Sequence, residues 1–422
     1  MSVAPRPPLA RRAPGLVLAA LRRARGLLGP GPAARQSLVA LGLNSVVSLF
    51  AGAVLGSITG TLEQLPGLLV LVPAAVGLRG NIFSTVGARL STALHTGELD
   101  LDLRARGPLR QNVEASLVLT GVMSVVLALL GWLVALGIGV DDLTSPLVLI
   151  TISLGGGILA SVVILAATLG LVWGAVRRGW DLDNVVAPVV STLGDGLTLP
   201  ALWLVAQVAD VDVVADGFGF IGAAVAALVF VRAVRSPAEI LRRVVRQSWP
   251  ILTAAALLSV FAGLALEQRL EAWQALPALL VLQPAFVSSA GALGRVLANR
   301  VASKLHLGLV PASVVPSPEA RADAGFVLAL AVPVYLLNGA GAHVVARLLG
   351  EDSPGLLAMI AVGLVGGLVA VLWAVGAAYY GTMAATAAGV DPDTYGIPVV
   401  TSSVDFVGVL ALVATVAAFT II

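Results

Sequence analysis

The sequence predicts an all-α polytopic membrane protein in which a linking transmembrane helix joins two parallel five-helix repeats. Three observations lead to this fold class. The 422 residues are 58% hydrophobic and only 11% charged, with a mean hydropathy of +1.00, so lipid rather than water must solvate most of the surface. The apolar residues form long segments, which short charged stretches separate. The two halves of the chain also repeat one another in sequence.

A basic arm, residues 1–36, precedes the first long apolar segment. It carries seven arginines around one short apolar core, "GLVLAAL", which is too short to span a bilayer. No small-residue cleavage site follows that core, which disfavours a signal peptide. We expect the arm to lie in the cytoplasm against anionic lipid headgroups.

Eleven apolar segments are long enough to cross a bilayer, since a spanning helix needs roughly 20 apolar residues. Long apolar runs favour helices over the alternating strands of a barrel. The predicted spans lie near residues 38–60, 66–94, 113–138, 146–176, 185–209, 218–234, 249–266, 277–304, 324–347, 355–379 and 395–420. With a cytoplasmic N-terminus, most arginines of the loops fall inside and a rim of acids falls outside. This topology predicts a multi-pass protein of the cell membrane with an extracytoplasmic C-terminus.

An internal duplication relates the two halves. The stretch "RQSLVALGLNSVVSLFAGAVLG" from Arg35 returns as "RQSWPILTAAALLSVFAGLALE" from Arg246. Likewise, "LPGLLVLVPAAVGLRGN" from Leu65 returns as "LPALLVLQPAFVSSAGA" from Leu276. Both pairs are 211 residues apart, so the two halves are in register over this length.

The duplication defines the predicted domains. The first repeat covers residues 37–210 and the second covers residues 247–422, with five spans each. The segment 211–246 between them holds one span and a basic cytoplasmic loop. Because this additional span returns the chain to its starting side, we expect parallel repeats related by a pseudo-twofold axis along the membrane normal.

Each repeat holds one acid inside an otherwise apolar span. "DLDNVVAPVVSTLGD" ends at Asp195 and "DPDTYGIPVVTSSVD" ends at Asp405. A carboxylate at mid-bilayer is unfavourable, so it normally faces a cavity and serves an ion or proton path. Two facing carboxylates repel each other unless a proton or a cation neutralises them. Mg²⁺ keeps several waters and binds through one or two carboxylates, whereas Ca²⁺ takes about six to eight oxygens, so the sparse pair favours Mg²⁺.

Hydroxyl groups lie one helical turn before each acid, at Ser191 and Thr401. They share a face with the acids and are placed to hold the waters of a hydrated ion. A hydroxyl in a helix also commonly bonds to its own backbone carbonyls, and the sequence leaves both interpretations open.

Four further acids precede the fifth spans, at Asp181, Asp183, Asp391 and Asp393. A cytoplasmic cation relay would explain them. Helix capping, with favourable negative charge near a helix N-terminus, explains them equally well.

At these motifs the chain resembles the MgtE and solute-carrier-41 magnesium transporters. The resemblance covers nearly all of residues 37–422. It rests on Pro, Gly-x-x-Gly-Asn and a following Arg in the second span, and on Asp-x-Asp-Asn, Pro, Ser/Thr and a buried Asp around the fifth. It implies parallel five-span units, here fused into one chain as in solute-carrier-41 members, whose fifth-span acid binds Mg²⁺ in a pore.

Motif matching assigns the pore-acid role to Asp195 and Asp405. The expected supporting residues of the pore are Gly77, Gly80, Asn81, Ser191, Thr192, Ser288, Ser289, Gly291, Thr401 and Ser402. We expect no cofactor, because Mg²⁺ or another divalent cation is the transported ion. The lipid bilayer is the expected partner and nucleic acid is not. Since the chain is a pseudo-dimer, a single copy would suffice for function.

Two departures from the family pattern bear on selectivity and gating. The second copy reads "SSAGA" from Ser288 to Ala292, so Asn81 has no amide counterpart and the site is expected to be asymmetric. The soluble magnesium-sensing domains of MgtE proteins are also not found before Arg35, since nothing there would bury a core. We therefore do not expect gating through such domains.

Two other classes of function compete with transport. An intramembrane aspartyl protease would also use two buried aspartates that activate water. "LGD" at Leu193–Asp195 suits that class, but Thr192 stands where it needs glycine, and a parallel duplication has no place in it. A membrane scaffold would give no reason to keep both acids. We therefore expect a transporter rather than an enzyme, and the sequence leaves a channel and a Na⁺- or H⁺-coupled exchanger both open.

Overall fold

A computed structural model describes residues 32–95, 107–140, 142–178, 182–208, 212–306, 308–388 and 397–419. Within these ranges the chain forms thirteen helices and no strand. They are α1 (Pro32–Ser57), α2 (Thr59–Gln64), α3 (Leu68–His95), α4 (Pro108–Ile138), α5 (Pro146–Arg178), α6 (Leu182–Val208), α7 (Asp212–Val234), α8 (Glu239–Glu267), α9 (Leu270–Ala275), α10 (Pro277–His306), α11 (Pro318–Leu348), α12 (Leu356–Ala387) and α13 (Ile397–Ala418).

Eleven of these helices are long and apolar enough to cross a membrane, which confirms the predicted all-α polytopic fold. The other two, α2 and α9, have six residues each and follow the first and seventh spans. Of the predicted basic arm, residues 1–31 lie outside the described part of the chain, and its last residues begin α1.

Several helices extend beyond the predicted spans. The predicted seventh span begins near residue 249, whereas α8 begins at Glu239. The additional stretch "EILRRVVRQS" is too polar for the bilayer core, but most of its residues favour helix. Hydrophobicity therefore locates the part of a helix that lies in lipid, and backbone hydrogen bonding continues past it.

The first span of each repeat packs against the second span of the other repeat. A Cβ atom added at Gly52 on α1 would overlap the carbonyl oxygen of Val281 on α10, and one added at Gly263 on α8 would overlap the carbonyl oxygen of Val70 on α3. Both pairs of helices therefore approach backbone to backbone where glycine leaves room. The two contacts exchange under the 211-residue shift, which is the pattern that a twofold axis produces.

One hydrogen bond joins the ends of two spans that the sequence assigns to the outer side. The backbone N–H of Gly67, between the first two spans, donates to Oε1 of Glu267 at the end of the seventh span, at 2.9 Å. Inverted repeats would place these two residues on opposite faces, roughly 30 Å apart across the hydrocarbon. The contact is the one expected of parallel repeats.

A buried polar group fixes the second span in each repeat. Arg79 on α3 is fully buried and donates to the Ala75 carbonyl at 3.0 Å, to Ser124 Oγ on α4 at 2.9 Å and to the Ser153 carbonyl on α5 at 3.2 Å. In the second repeat, Tyr335 on α11 donates instead to the Phe286 carbonyl on α10, at 3.0 Å. The second spans α3 and α10 are therefore held in equivalent places by different hydrogen bonds, those of an arginine on α3 and that of a tyrosine donating to α10.

Candidate cation site

A cavity lies where the two repeats meet, and both predicted pore acids line it. Its wall comes from one face each of α3, α6, α10 and α13, the second and fifth spans of the two repeats. The lining residues are Val72, Pro73, Val76, Gly77, Gly80, Asn81, Ser191, Asp195, Leu199, Gln283, Pro284, Val287, Ser288, Gly291, Arg295, Thr401 and Asp405. Polar side chains on otherwise apolar helices therefore meet in one chamber inside the membrane domain.

Asp195 lies on α6 and is only 8% exposed. Its Oδ2 atom accepts a hydrogen bond of 2.5 Å from Ser288 Oγ on α10. The Ser288 oxygen in turn accepts one of 3.1 Å from the amide of Asn44 on α1. The acid of the first repeat is therefore positioned by the second span of the other repeat, through a chain of two donors.

Asp405 lies on α13 and is half-buried. Its Oδ2 atom accepts a hydrogen bond of 3.0 Å from Ser259 on α8. A Cβ added at Gly77 on α3 would lie 2.9 Å from the same oxygen, closer than a carbon and an oxygen normally approach. Glycine at position 77 thus leaves the space into which this carboxylate points.

The two acids have unequal surroundings although their helices repeat. Gly77 and Ser288 occupy equivalent positions, 211 residues apart. The second copy therefore brings a hydroxyl to Asp195, whereas the first copy offers Asp405 open space. The asymmetry expected from the sequence around Asn81 is present here too, at the carboxylates themselves.

Asn81 lies at the boundary between the chamber and a second, smaller cavity. Its Oδ1 atom accepts a hydrogen bond of 3.2 Å from Thr401 on α13. Arg89, Ser248 and Pro398 line the second cavity, which lies toward the end of α3 that the sequence assigns to the cytoplasm. The Asn81–Thr401 pair thus separates the acid-bearing chamber from a cavity on its predicted cytoplasmic side.

The other predicted lining residues divide into two groups. Gly80, Ser191 and Gly291 lie on the cavity wall. Three lie behind it: Thr192, Ser289 and Ser402 are buried but are not part of the lining. Thr192 donates to Asn44 at 3.4 Å, and Ser289 accepts from Asn338 at 2.8 Å. A run such as Ser191–Thr192 cannot place both side chains on one face, because successive helical residues point about 100° apart.

The described part of the structure does not test the predicted cytoplasmic cation relay. Asp181, Asp391 and Asp393 lie outside the described residues, and so does the side chain of Asp183. The alternatives of a relay and of helix capping both remain predictions.

Sequence reasoning missed Arg295, the most prominent polar group of the chamber after the acids. It lies on α10, seven residues after Ser288 and four after Gly291, so all three share a helix face. The sequence did contain a signal for Arg295, because a basic residue lies on the predicted lining face of an otherwise apolar span. Asn44 and Ser259 were also missed, because nothing in the sequence indicates which first-span residues reach the acids.

The ligands that the chamber offers to a cation are oxygen atoms. No group of three or more histidine, cysteine or acidic side chains is gathered anywhere in the described chain. The lining supplies two carboxylates, the hydroxyls of Ser191, Ser288 and Thr401, and two side-chain amides. Carboxylate, hydroxyl and amide oxygens are the ligands that hard cations such as Mg²⁺ and Ca²⁺ prefer.

Comparison with known proteins places the chain among cation transporters. The sequence model of the MgtE family, described as a divalent cation transporter, matches residues 72–205 and again residues 283–415. The two matches begin 211 residues apart, the shift of the internal duplication. Each contains one of the two acids.

Curated relatives belong to solute carrier family 41. Member 2 of Xenopus laevis is 27% identical over 289 residues, 66% of this chain and 50% of that protein. Member 2 of Homo sapiens is 25% identical over 407 residues, 90% of this chain and 70% of that protein. Member 3 of Mus musculus is 25% identical over 416 residues, 89% of this chain and 82% of that protein.

The chain thus spans about half the length of the frog relative and more of the human and mouse ones. No solved structure gives a significant match. The family model covers well over half of the chain, in two copies, and MgtE members are transporters rather than enzymes. On these grounds the protein belongs to the MgtE family of divalent cation transporters.

Proposed function

We propose that this protein moves Mg²⁺ across the cell membrane through the central chamber, with Asp195 and Asp405 as the carboxylate ligands. One observation carries the proposal: two acids, one from each family-matched segment, line the same cavity inside the membrane domain. A proteolytic role would need the acids to activate water for peptide cleavage, and the family favours transport instead.

The charge of the site supports a divalent substrate. At an effective dielectric near 20 and a separation of about 5 Å, one carboxylate attracts a divalent ion by roughly 6 to 7 kcal/mol before desolvation is set against it. Two carboxylates in one cavity therefore favour a divalent over a monovalent cation. A cation also relieves the repulsion between the acids.

The choice of Mg²⁺ follows from the ligands. Mg²⁺ binds through one or two carboxylates and keeps several waters, which hydroxyls and amides then hold. Ser191, Thr401 and Asn81 are such groups on the wall. In the proposed topology the N-terminus lies in the cytoplasm and the C-terminus lies outside the cell membrane, so that the basic loops face the cytoplasm.

The test is Mg²⁺ flux into liposomes containing the purified protein and its Asp195→Asn, Asp405→Asn and doubly substituted forms. Asparagine keeps the size of the side chain and removes half of the negative charge of the acid pair. We expect each single change to reduce flux at least about a hundredfold, and the double change to add little, since the two acids form one site. Flux at parental rates in both single variants would refute the proposal.

A matched control is Glu114→Gln. Glu114 pairs with Arg110 at 2.7 Å on a partly exposed face of α4, and both side chains are about 40% exposed, so its loss should leave flux unchanged. Added Mg²⁺ should raise the melting temperature of the parent and of Glu114→Gln, and should do so less or not at all in the aspartate variants. Repeating the flux with imposed Na⁺ or H⁺ gradients separates a channel from a coupled exchanger.

A further inference from the structure

Arg295 is the single basic side chain among the described residues that line the chamber. The face of α10 that carries Ser288 and Gly291 also carries this arginine, so it belongs to the wall that contacts Asp195. Its Nη1 atom lies beside Gly291, where an added Cβ would be 3.7 Å from it. Glycine at this position leaves room for the guanidinium inside the chamber.

The guanidinium interacts electrostatically with both acids, Asp195 and Asp405. It forms no salt bridge within 4.0 Å with either of them. An arginine side chain keeps its charge in proteins. Two ionised acids together with Arg295 therefore give the chamber a net charge of about −1, whereas the acids alone would give about −2.

The first repeat supplies no equivalent group. Ser84 occupies the position equivalent to Arg295, 211 residues earlier, and its hydroxyl contacts the Asn81 carbonyl at 3.4 Å. The positive charge therefore enters the chamber from one wall only. The side chain that carries it is long and has several rotatable bonds, so it can withdraw without a change in the backbone.

We propose that Arg295 is a tethered counter-ion that neutralises the acid pair when the chamber holds no divalent cation, and that the entering cation displaces it. The inference rests on the proposed function, because it concerns the ion that the acids bind. A divalent ion between the two ionised acids brings their combined charge from about −2 to about 0, so the acids no longer attract the guanidinium, and the bound ion repels it. Arg295 therefore weakens binding of the divalent ion and speeds its release.

The first test compares Mg²⁺ binding to the purified, full-length parent with binding to Arg295→Ser and Arg295→Lys, by isothermal titration calorimetry. Serine is the residue of the first repeat, and lysine keeps the charge. We expect Arg295→Ser to bind Mg²⁺ at least about tenfold more tightly, because a repelling charge is removed. Arg295→Lys should stay within about threefold of the parent. A folded Arg295→Ser that binds Mg²⁺ with parental or weaker affinity would overturn the proposal.

Arg300→Ser is the matched control on the same helix. Arg300 lies outside the chamber lining and pairs with Asp323 on α11 at 2.7 Å. Its loss is expected to lower the melting temperature without changing Mg²⁺ affinity. If Arg300→Ser tightened Mg²⁺ binding as much as Arg295→Ser, general loss of positive charge would explain the effect and the counter-ion role would be wrong.

The second test needs no Mg²⁺ and so separates this inference from the proposed function. In EDTA-containing buffer, Arg295→Ser should melt below the parent, because the acid pair has lost its counter-ion. Adding Asp405→Asn should restore most of that loss, since one acid then remains. If Arg295→Ser lowers the melting temperature by the same amount with and without Asp405→Asn, then Arg295 only packs against its neighbours and the inference is wrong. A parent that Mg²⁺ neither binds nor stabilises would refute the proposed function, while the coupling between positions 295 and 405 would still decide the role of Arg295.

Discussion

At the scale of single residues, the site is asymmetric although the helices that form it are duplicated. Gly77 and Ser288 are equivalent in sequence, but only Ser288 gives a hydrogen bond to the acid it faces. Asn81 and Ala292 are also equivalent, and only Asn81 lines the chamber. Fusion of the repeats into one chain allows such differences, because the two copies can change independently.

The Asn81 position provides a prediction about selectivity. Asn81→Ala removes the amide oxygen that accepts from Thr401 at the boundary of the chamber. We expect it to reduce Mg²⁺ flux, or discrimination against Ca²⁺, by about tenfold or more, an effect of roughly 1.4 kcal/mol. Ala292→Asn should change both quantities much less, since Ala292 does not line the chamber. Competition flux in liposomes measures both, and equal, negligible effects would show that this segment does not contact the ion path.

At the scale of helices, the second span of the first repeat is fixed by a buried arginine. Arg79 donates to groups on α3, α4 and α5, and a glycine on α5, Gly157, lies directly against its guanidinium. An unsatisfied buried polar group is costly, so this set of hydrogen bonds is expected to resist displacement. The position of α3 in turn sets Gly77 and Asn81 on the chamber wall.

This arrangement predicts unequal effects of two glycine substitutions on α5. Gly157→Ala places a methyl group where the Arg79 guanidinium and Ser124 Oγ lie, so it should destabilise the protein by about 1–3 kcal/mol. Gly170→Ala, thirteen residues further on the exposed face of the same helix, meets nothing within 4 Å. It should be neutral or slightly stabilising, because alanine favours helix over glycine. Thermal melts in detergent check this, and comparable melting temperatures for both variants would contradict it.

At the scale of the whole molecule, the parallel orientation of the repeats decides whether the acids meet. The reciprocal contacts of Gly52 with Val281 and of Gly263 with Val70 fit a twofold axis. The bond from Gly67 to Glu267 fits a common outer face for both repeats. Inverted repeats would also give reciprocal contacts, but they would place Gly67 and Glu267 on opposite faces of the membrane.

The orientation is testable because the chain contains no cysteine. Single cysteines at Thr61, after the first span, and at Gln268, after the seventh, should both react with an impermeant thiol reagent added outside intact cells. A cysteine at Arg235, between α7 and α8, should react only after the membrane is permeabilised. Labelling of Thr61→Cys and Gln268→Cys from opposite sides would mean inverted repeats and would remove the basis for a shared acid site.

The sequence by itself determined the class of fold and the identity of the two acids. Long, uninterrupted apolar segments of spanning length favour membrane helices, because a helix satisfies its backbone polar groups within its own segment. A duplicated acid in an apolar span indicates function, since burial of a lone carboxylate is unfavourable. Both signals are local, and the register of the duplication then paired Asp195 with Asp405.

Only the tertiary structure decided which groups surround those acids. Ser288 and Arg295 share the chamber with Asp195, although about a hundred residues separate them in sequence. Asn44 and Ser259 reach the site from first spans, and Thr192 and Ser402 lie behind its wall. Helical periodicity predicts which residues share a face, but the rotation of each helix follows from its packing with neighbours. The positions of glycines such as Gly52 and Gly263 set that packing through backbone approach, which sequence periodicity does not reveal.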